Sequence, residues 1–237
     1  MRAETAAESV VAQLLERGAA VLPGAFAAEM LAGLRDAAAR CFEAVETNGP
    51  LAARLGFNRF SHSVPLRALG EFGCCEDGLL APLSVPGLEG LFSEAFGYKW
   101  KCRPEQSWVR KKFAPVHDPG GHPQGWHQDG ALGVRFPAEA GTAVPMTRLL
   151  TCWIPLNSCG RDSPGLELVC RRQAGLLHFT ELDDAALRRR FAAEEFWVPE
   201  LELGDGVVFL DSVLHRTYAR PEMRRDRMSV EYRIFPV

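Results

Sequence analysis

The spacing of apolar residues changes near Trp100, and this change limits the number of folds that the chain can adopt. Before Trp100, apolar residues recur at helical spacing and predict helices over about residues 3–17, 30–45 and 88–96, with a short strand over 20–22. After Trp100, short apolar runs predict strands over about residues 107–113, 148–156, 166–170, 207–210 and 228–235, and a late helix begins at Asp183-Asp184. Helices followed by strands indicate an α+β chain with a helix-backed, double-sheet jelly roll.

Composition argues against several classes of partner. At 237 residues, 47% of them hydrophobic, the chain can bury one sizeable core, so we expect a single domain over residues 1–237. The net charge of -3 includes no basic block, which argues against nucleic acid, and no apolar run approaches membrane-spanning length. The seven cysteines contain no Cys-X-X-Cys pair, which argues against a disulfide framework or a thiolate zinc site and favours a reducing cytoplasm.

The segment Trp126-His127-Gln128-Asp129 is a candidate metal-binding motif. Side chains two residues apart on an extended segment point to the same face, so His127 and Asp129 can hold two neighbouring positions of a divalent metal. A third ligand must come from elsewhere, and His215 supplies it after the apolar run 207–210. Two histidines and one carboxylate on one face of a metal are typical of non-haem Fe(II) oxygenases. The alternative is a surface histidine beside a helix-capping aspartate.

Further segments occur in a set order around this motif. Gly204-Asp205-Gly206 precedes the strand before His215, Arg227 opens the run 227–233, and residues 18–24 and 151–156 complete the pattern. Together they resemble the phytanoyl-CoA dioxygenase family of Fe(II)- and 2-oxoglutarate-dependent oxygenases, over most of the chain except about residues 47–87. The resemblance implies a cupin-like, double-stranded β-helix. It also implies Fe(II), with 2-oxoglutarate and O2 as cosubstrates, and hydroxylation of an unactivated C–H bond of a small molecule with release of succinate and CO2.

The resemblance assigns individual residues to this chemistry. Three of them bind the metal: His127, Asp129 and His215. The guanidinium of Arg227 binds the far carboxylate of 2-oxoglutarate, because its planar fork matches a carboxylate. Three more residues are assigned to the cosubstrate: Thr217 and Ser229 through their hydroxyls, and Trp153 through its ring. A purely structural role in the core is the alternative for Trp153.

The last strand offers two arginines for the carboxylate. Alternation puts Arg227, Ser229, Glu231 and Arg233 on one face, with apolar residues on the other. Six residues along a strand span roughly 20 Å, so we predict that only one of the arginines reaches a cosubstrate at the metal. Arg227 lies nearer to His215 in sequence and matches the arginine of the family, so we assign it the carboxylate and expect loss of Arg233 to change the 2-oxoglutarate requirement little. The alternative is an edge strand with Arg227 in solvent.

Two other functions use similar residues. A zinc hydrolase also uses histidine and carboxylate ligands, but the sequence lacks the His-Glu-X-X-His motif that would activate water. A catalytically inactive jelly-roll protein that binds a small molecule is the second alternative. Halogenation is rejected, since it needs an open coordination position where Asp129 stands.

The remaining polar residues are expected outside the site. His117 and His122 are predicted to lie on the surface, and His62 and His178 to be structural. The run Arg110-Lys111-Lys112 is predicted to be a solvated face, with Lys111 as a lesser candidate for an anionic ligand. The irregular segment 51–86 and the approach 120–125 are predicted to form lids over the site.

Overall fold

The computed structural model describes residues 2–85, 87–97, 99–121, 123–138 and 143–237. The helices in these residues are α1 (Arg2–Arg17), α2 (Ala28–Thr47), α3 (Gly49–Leu55), α4 (Glu76–Leu80), α5 (Leu88–Phe96) and α6 (Asp184–Arg190). The strands are β1 (Ala19–Leu22), β2 (Ser63–Pro65), β3 (Trp100–Cys102), β4 (Trp108–Lys112), β5 (Leu150–Pro155), β6 (Gly165–Val169), β7 (Phe196–Trp197), β8 (Gly206–Leu210), β9 (His215–Tyr218) and β10 (Arg227–Pro236).

The strands form two antiparallel sheets. The larger one has the order β1-β8-β5-β10-β4-β2, with β3 also paired to β10, and the smaller one has the order β7-β6-β9. Strand β10 is ten residues long and pairs with β3, β4 and β5, which makes it the central strand of the larger sheet. Its position determines what each of its two faces contacts.

The two faces of β10 divide as the alternation predicts. Val230, Tyr232 and Ile234 lie in the hydrophobic core that also contains Leu31 and Leu34 of α2. The Tyr232 hydroxyl, buried in this core, donates a hydrogen bond of 2.8 Å to the backbone oxygen of Leu79. The opposite face carries Arg227, Ser229, Glu231 and Arg233, all of them buried. The strand therefore separates an apolar layer, covered by the N-terminal helices, from a polar interior.

Asn48 both ends α2 and begins α3. Its backbone N–H donates to the oxygen of Ala44, and its side chain accepts from the backbone N–H of Leu51 at 3.1 Å. An asparagine followed by Gly49-Pro50 favours a helix start because proline fits the first turn of a helix. The predicted stop of α2 is confirmed, and a second helix starts at the same place.

The segment 51–86 is not the irregular lid that we predicted. In its described residues it contains the end of α3, strand β2, a 3-10 helix over Leu66–Phe72, helix α4 and a 3-10 helix over Ala81–Ser84. Leu66, Leu69, Leu79 and Leu83 are buried in the main core. These elements are each seven residues or shorter, which is too short to show an apolar period in sequence. Hydrophobic packing, rather than a covering role, holds this segment in place.

The predicted α+β class is confirmed as a mixture of helices and antiparallel sheets, with the longest helices at the N-terminal end. The five predicted strands after Trp100 correspond to β4, β5, β6, β8 and β10. The strands that sequence patterns missed have four residues or fewer: β2, β3, β7 and β9. Across the described ranges, no helix combines the length and the apolar character that crossing a membrane requires.

Candidate metal centre and cosubstrate pocket

His127, Asp129 and His215 lie together, as the motif predicts. One ligand atom from each residue can be chosen so that all three atoms lie within 4.8 Å of one another. His215 is the first residue of β9, and it forms an antiparallel bridge with His127. Asp129 begins a 3-10 turn directly after the extended residue Gln128. Ligands bound to one metal at right angles lie about 3 Å apart, so a small closing movement brings these three atoms to bonding positions.

Both histidines present the same ring nitrogen to the metal position. Nδ1 of His127 lies 2.9 Å from the backbone oxygen of Gly125, and Nδ1 of His215 lies 3.0 Å from that of Val213. A carbonyl oxygen only accepts, so each Nδ1 donates its proton and each Nε2 carries the lone pair that a metal would use. At His127 this lone pair accepts a hydrogen bond of 3.0 Å from the side-chain amide of Gln124, which a bound metal would replace. Burial, aided by the neighbouring His215, lowers the pKa of His127 to about 3, which maintains the neutral form that a metal requires.

The two carboxylate oxygens of Asp129 have different partners. Oδ1 accepts a hydrogen bond of 2.8 Å from Nη2 of Arg233, and Oδ2 accepts one of 2.6 Å from the hydroxyl of Thr151. Oδ2 also lies 4.0 Å from Nε2 of His215, so it is the oxygen that faces the histidines. Burial opposes ionisation most strongly, but the charges of Arg233 and of the two histidines, together with the hydrogen bond from Thr151, outweigh it and hold the pKa of Asp129 well below its usual range. The ligand is a carboxylate at any neutral pH.

Gln128, between the two ligands, anchors the motif from the other side. Its side-chain nitrogen donates to the backbone oxygens of Gly175 and Ser212, at 3.1 and 2.7 Å. Its side-chain oxygen accepts from the backbone N–H of Leu177 at 2.7 Å. Because successive side chains on an extended segment alternate, fixing Gln128 in the protein fixes His127 and Asp129 on the opposite face.

A pocket beside the metal ligands contains a buried cation without an acidic partner. Arg227 is only 2% exposed, and in the described residues no carboxylate forms an ion pair with it. Its Nη1 donates to the hydroxyl of Ser229 at 3.0 Å, its Cζ lies 5.1 Å from the ring centroid of Trp153, and its Nε has no hydrogen-bond partner. Burial lowers its pKa to about 10, so it remains protonated. A buried guanidinium with a free donor fits an anionic ligand.

The residues assigned to the cosubstrate by resemblance surround this pocket. His127, His215, Trp153, Thr217 and Arg227 all line it. Ser229 contacts Arg227 directly. The donor set therefore fits a metal chelated by a dicarboxylate whose far end lies at Arg227.

Arg233 contacts the candidate ligand Asp129, which the distance argument from sequence did not anticipate and which changes what we expect from its loss. It donates directly to Asp129 because the loop that carries Asp129 crosses the far end of β10, 104 residues away in sequence. Arg227 lines the same pocket as His127 and His215, while Arg233 contacts Asp129, so the two arginines contact different parts of the site. Thr151, the other partner of Asp129, was also missed, and its pairing with Arg233 across β5 and β10 becomes visible only with the strand register.

The charge run 110–112 has two different faces. Nζ of Lys111 lies 2.7 Å from Glu46 on the outer side, which rules it out as a free anion site. Nε of Arg110 lies 3.0 Å from Glu231, and its side chain is only 13% exposed and lines the metal pocket. The opposite orientation of Lys111 and Arg110 was predicted correctly. The prediction that Arg110 lies on a solvated face was wrong, because β4 pairs with β10 and turns Arg110 inward.

The other histidines serve elsewhere in the fold. Nδ1 of His117 pairs with Asp226 at 2.7 Å with half of its side chain exposed. His62 stacks against Phe42, and His178 caps a 3-10 helix over Phe179–Glu181. His122 lies outside the described residues.

No family model matches this chain, and no curated protein matches it. Solved structures do match. EctD from S. alaskensis with bound Fe has a TM-score of 0.68 at 17% identity, covering 95% of this chain and 75% of that chain. The carbocyclase SnoK, described as non-heme and alpha-ketoglutarate-dependent, has 0.66 at 16%, covering 97% and 83%. The epimerase SnoN in complex with Fe3+, alpha ketoglutarate and nogalamycin RO has 0.64 at 15%, covering 98% and 84%. This likeness shows that the chain has the fold of such enzymes.

Proposed function

We propose that the protein is an Fe(II)- and 2-oxoglutarate-dependent oxygenase of the phytanoyl-CoA dioxygenase type that hydroxylates an unactivated C–H bond of a small molecule. The observation that carries the proposal is the cluster of His127, Asp129 and His215 beside a buried arginine, Arg227, that has no acidic partner in the part of the chain that the structure describes. Two adjacent sites, one for a dication and one for a carboxylate, are what a metal-chelating oxo diacid needs. Against a zinc hydrolase stands the absence of a His-Glu-X-X-His motif from the sequence.

Each residue has a defined task in this proposal. Nε2 of His127, Nε2 of His215 and Oδ2 of Asp129 hold the metal. Arg227 and Ser229 hold the far carboxylate of 2-oxoglutarate, Thr217 adds a hydroxyl, and Trp153 forms the wall. The bound metal supplies the redox chemistry by which O2 and 2-oxoglutarate become succinate, CO2 and an oxidant for the substrate. Because Asp129 fills the carboxylate position, we assign hydroxylation rather than halogenation.

The proposal extends to the whole chain. We infer a single domain over residues 1–237 with a double-stranded β-helix as its core, which the two antiparallel sheets support. The seven cysteines are all unpaired, which supports a reducing, cytoplasmic location. The sequence contains no basic block of the kind that binds nucleic acid. The partner that we propose is therefore a small-molecule substrate.

The deciding experiment is anaerobic addition of Fe(II) and then 2-oxoglutarate, monitored for the metal-to-ligand charge-transfer absorption, followed by oxygen and a measurement of succinate. We expect one iron per chain, the absorption band and slow succinate release even without a substrate. His127→Ala, Asp129→Ala and His215→Ala should each lose the band, while His117→Ala, a surface histidine, should keep it. A catalytically inactive binding protein would bind the diacid and release no succinate.

A further inference from the structure

We propose that Arg233 is a positioning residue that holds Asp129 so that the carboxylate offers one oxygen, Oδ2, to the metal. This inference rests on the proposed function, because it assigns Arg233 a task toward the metal site. It goes beyond that function by naming what keeps coordination positions open. The observation behind it is the hydrogen bond of 2.8 Å from Arg233 to Oδ1 of Asp129.

The carboxylate is held by two donors that belong to the rigid part of the fold. Arg233 on β10 and Thr151 on β5 are directly opposite in the sheet register. One donates to Oδ1 and the other to Oδ2 of Asp129, which itself stands in a short 3-10 turn. Two donors from adjacent strands of one sheet fix the rotation of a carboxylate that its own turn would leave freer.

Arg233 is itself held in place by a chain of charges. Its Nη2 lies 3.0 Å from Oε1 of Glu231, and Oε2 of Glu231 lies 3.0 Å from Nε of Arg110. The side chains of Asp129, Arg233 and Glu231 are 2, 9 and 8% exposed. Two arginines and two carboxylates sum to zero charge, so the chain is buried without an uncompensated ion. Arg233 thus has little freedom to leave Oδ1.

The contact between Arg233 and Asp129 affects how many coordination positions of a bound metal would stay open. A metal with three protein ligand atoms on one face keeps three positions open, and a chelating oxo acid together with O2 needs all three. If Asp129 rotated and bound through both oxygens, it would occupy one of them. Rotation of Oδ1 toward the metal would break its charge-assisted hydrogen bond to the guanidinium of Arg233, which disfavours binding through both oxygens. The contact therefore protects the position that the cosubstrate needs.

Removal of Arg233 should affect cosubstrate chelation more than metal uptake. We expect Arg233→Met to bind one Fe(II) per chain, to bind 2-oxoglutarate about 10–100-fold more weakly, and to show an altered charge-transfer band even at saturation. Arg233→Lys should recover part of the 2-oxoglutarate affinity and part of the wild-type band, since an ammonium can donate to one carboxylate oxygen without the planar fork. Arg227→Met is the matched comparison. It should also weaken 2-oxoglutarate binding, yet its saturated band should equal that of the wild type, because it acts on the far end of the diacid.

Three results decide the matter. Wild-type binding affinity and a wild-type band in both Arg233 variants, with iron uptake intact, would overturn the positioning role and leave the proposed function standing. Failure of the wild-type protein to take up iron would overturn both. If Arg233→Met does not fold, the crystal structure of the Fe(II)-loaded wild-type protein answers the same question. Asp129 bound through Oδ2 alone, with Arg233 on Oδ1, is expected, and binding through both oxygens would refute the proposal.

Discussion

The backbones of His127 and His215 exchange two hydrogen bonds, each of 3.0 Å, so the two candidate ligands form a directly opposed pair across antiparallel segments. The ring centroids are 4.1 Å apart as a result. Opposed residues on such a pair have side chains on the same side of the ladder. The main chain, rather than the imidazoles, therefore brings the two ligands together, and the arrangement should survive the loss of either ring.

Arg227 should determine the affinity for 2-oxoglutarate. Loss of a buried, charge-assisted contact costs about 2–4 kcal/mol, which is on the order of tenfold to a thousandfold in affinity. We expect Arg227→Met to raise the 2-oxoglutarate requirement by this factor, and Arg227→Lys to restore only part of it. Anaerobic titration of the Fe(II) protein measures the effect. Arg161→Met, which removes a surface arginine paired with Glu200, is the control and should change nothing.

Gln128 should contribute strongly to stability although it touches neither metal nor cosubstrate in our assignment. Gln128→Leu leaves the backbone groups of Leu177, Gly175 and Ser212 without their side-chain partners. Buried unsatisfied groups of this kind should lower the free energy of unfolding by about 2–5 kcal/mol. Urea unfolding measures the loss. Gln173→Leu, at a partly exposed position, should change stability by less than about 0.5 kcal/mol. Equal effects of the two substitutions would show that the anchor is unimportant.

His62 should make the protein less stable in mild acid. Burial against Phe42 lowers the pKa of His62 from its usual value, against the opposing pull of Glu46 and with Lys111 and Lys112 nearby. The folded protein then binds fewer protons than the unfolded chain below about pH 6.5, so its contribution is fully present above that pH and is lost as the pH falls.

The loss through His62 cannot exceed about 1.4 kcal/mol per pH unit. His62→Asn removes the titrating group, and asparagine tolerates the positive φ of 48° at this position. Urea unfolding between about pH 7.5 and 5.5 should therefore show a shallower pH slope for the variant than for the wild type. Parallel slopes would assign the acid sensitivity to other groups.

Proteolysis should begin near the metal motif rather than in the segment 51–86. Residues 116–121 are exposed, while the 3-10 helix Leu66–Phe72 buries Leu66 and Leu69 in the core. Proteinase K should therefore cut first within about residues 116–125, because cleavage requires local opening of the backbone. Fe(II) with 2-oxoglutarate should slow this cut, since Gln124 lies at the pocket. An earliest cut within residues 66–84 would contradict this placement.

The parts of the fold predicted from sequence are those with long periodic patterns. Helix α2 and strand β10 are twenty and ten residues long, and their apolar spacing alone indicated their type and buried face. The segment 51–86 gave no such signal, because α4 is only five residues long and the 3-10 helices before and after it have seven and four. Short elements are specified by the surface on which they pack, and this information lies outside their own sequence.

The residues of the candidate site also fall into those that the sequence could predict and those that it could not. His127, Asp129 and His215 could be found because metal chemistry limits ligands to a few residue types. Arg233 and Thr151 could not be found from the sequence. Their contacts with Asp129 depend on how a distant turn crosses the sheet and on which residues β5 and β10 place opposite each other. Arg110 carried a misleading signal, because a run of charges resembles a solvated surface until β4 is paired with β10.

Strand β10 also limits how this protein can vary in length. From Arg227 to Ile234 the side chains of this strand alternate between the polar interior and the apolar layer, so a single inserted or deleted residue would exchange the two sets. Residues 219–226, between β9 and β10, have no such alternation, although Met223 is buried and Asp226 accepts from the backbone of Ala114. We therefore expect the number of residues from His215 to Arg227 to differ more among homologous chains than the length of the strand. The step of six from Arg227 to Arg233 is set by the pleat, and it is the more reliable marker for aligning them.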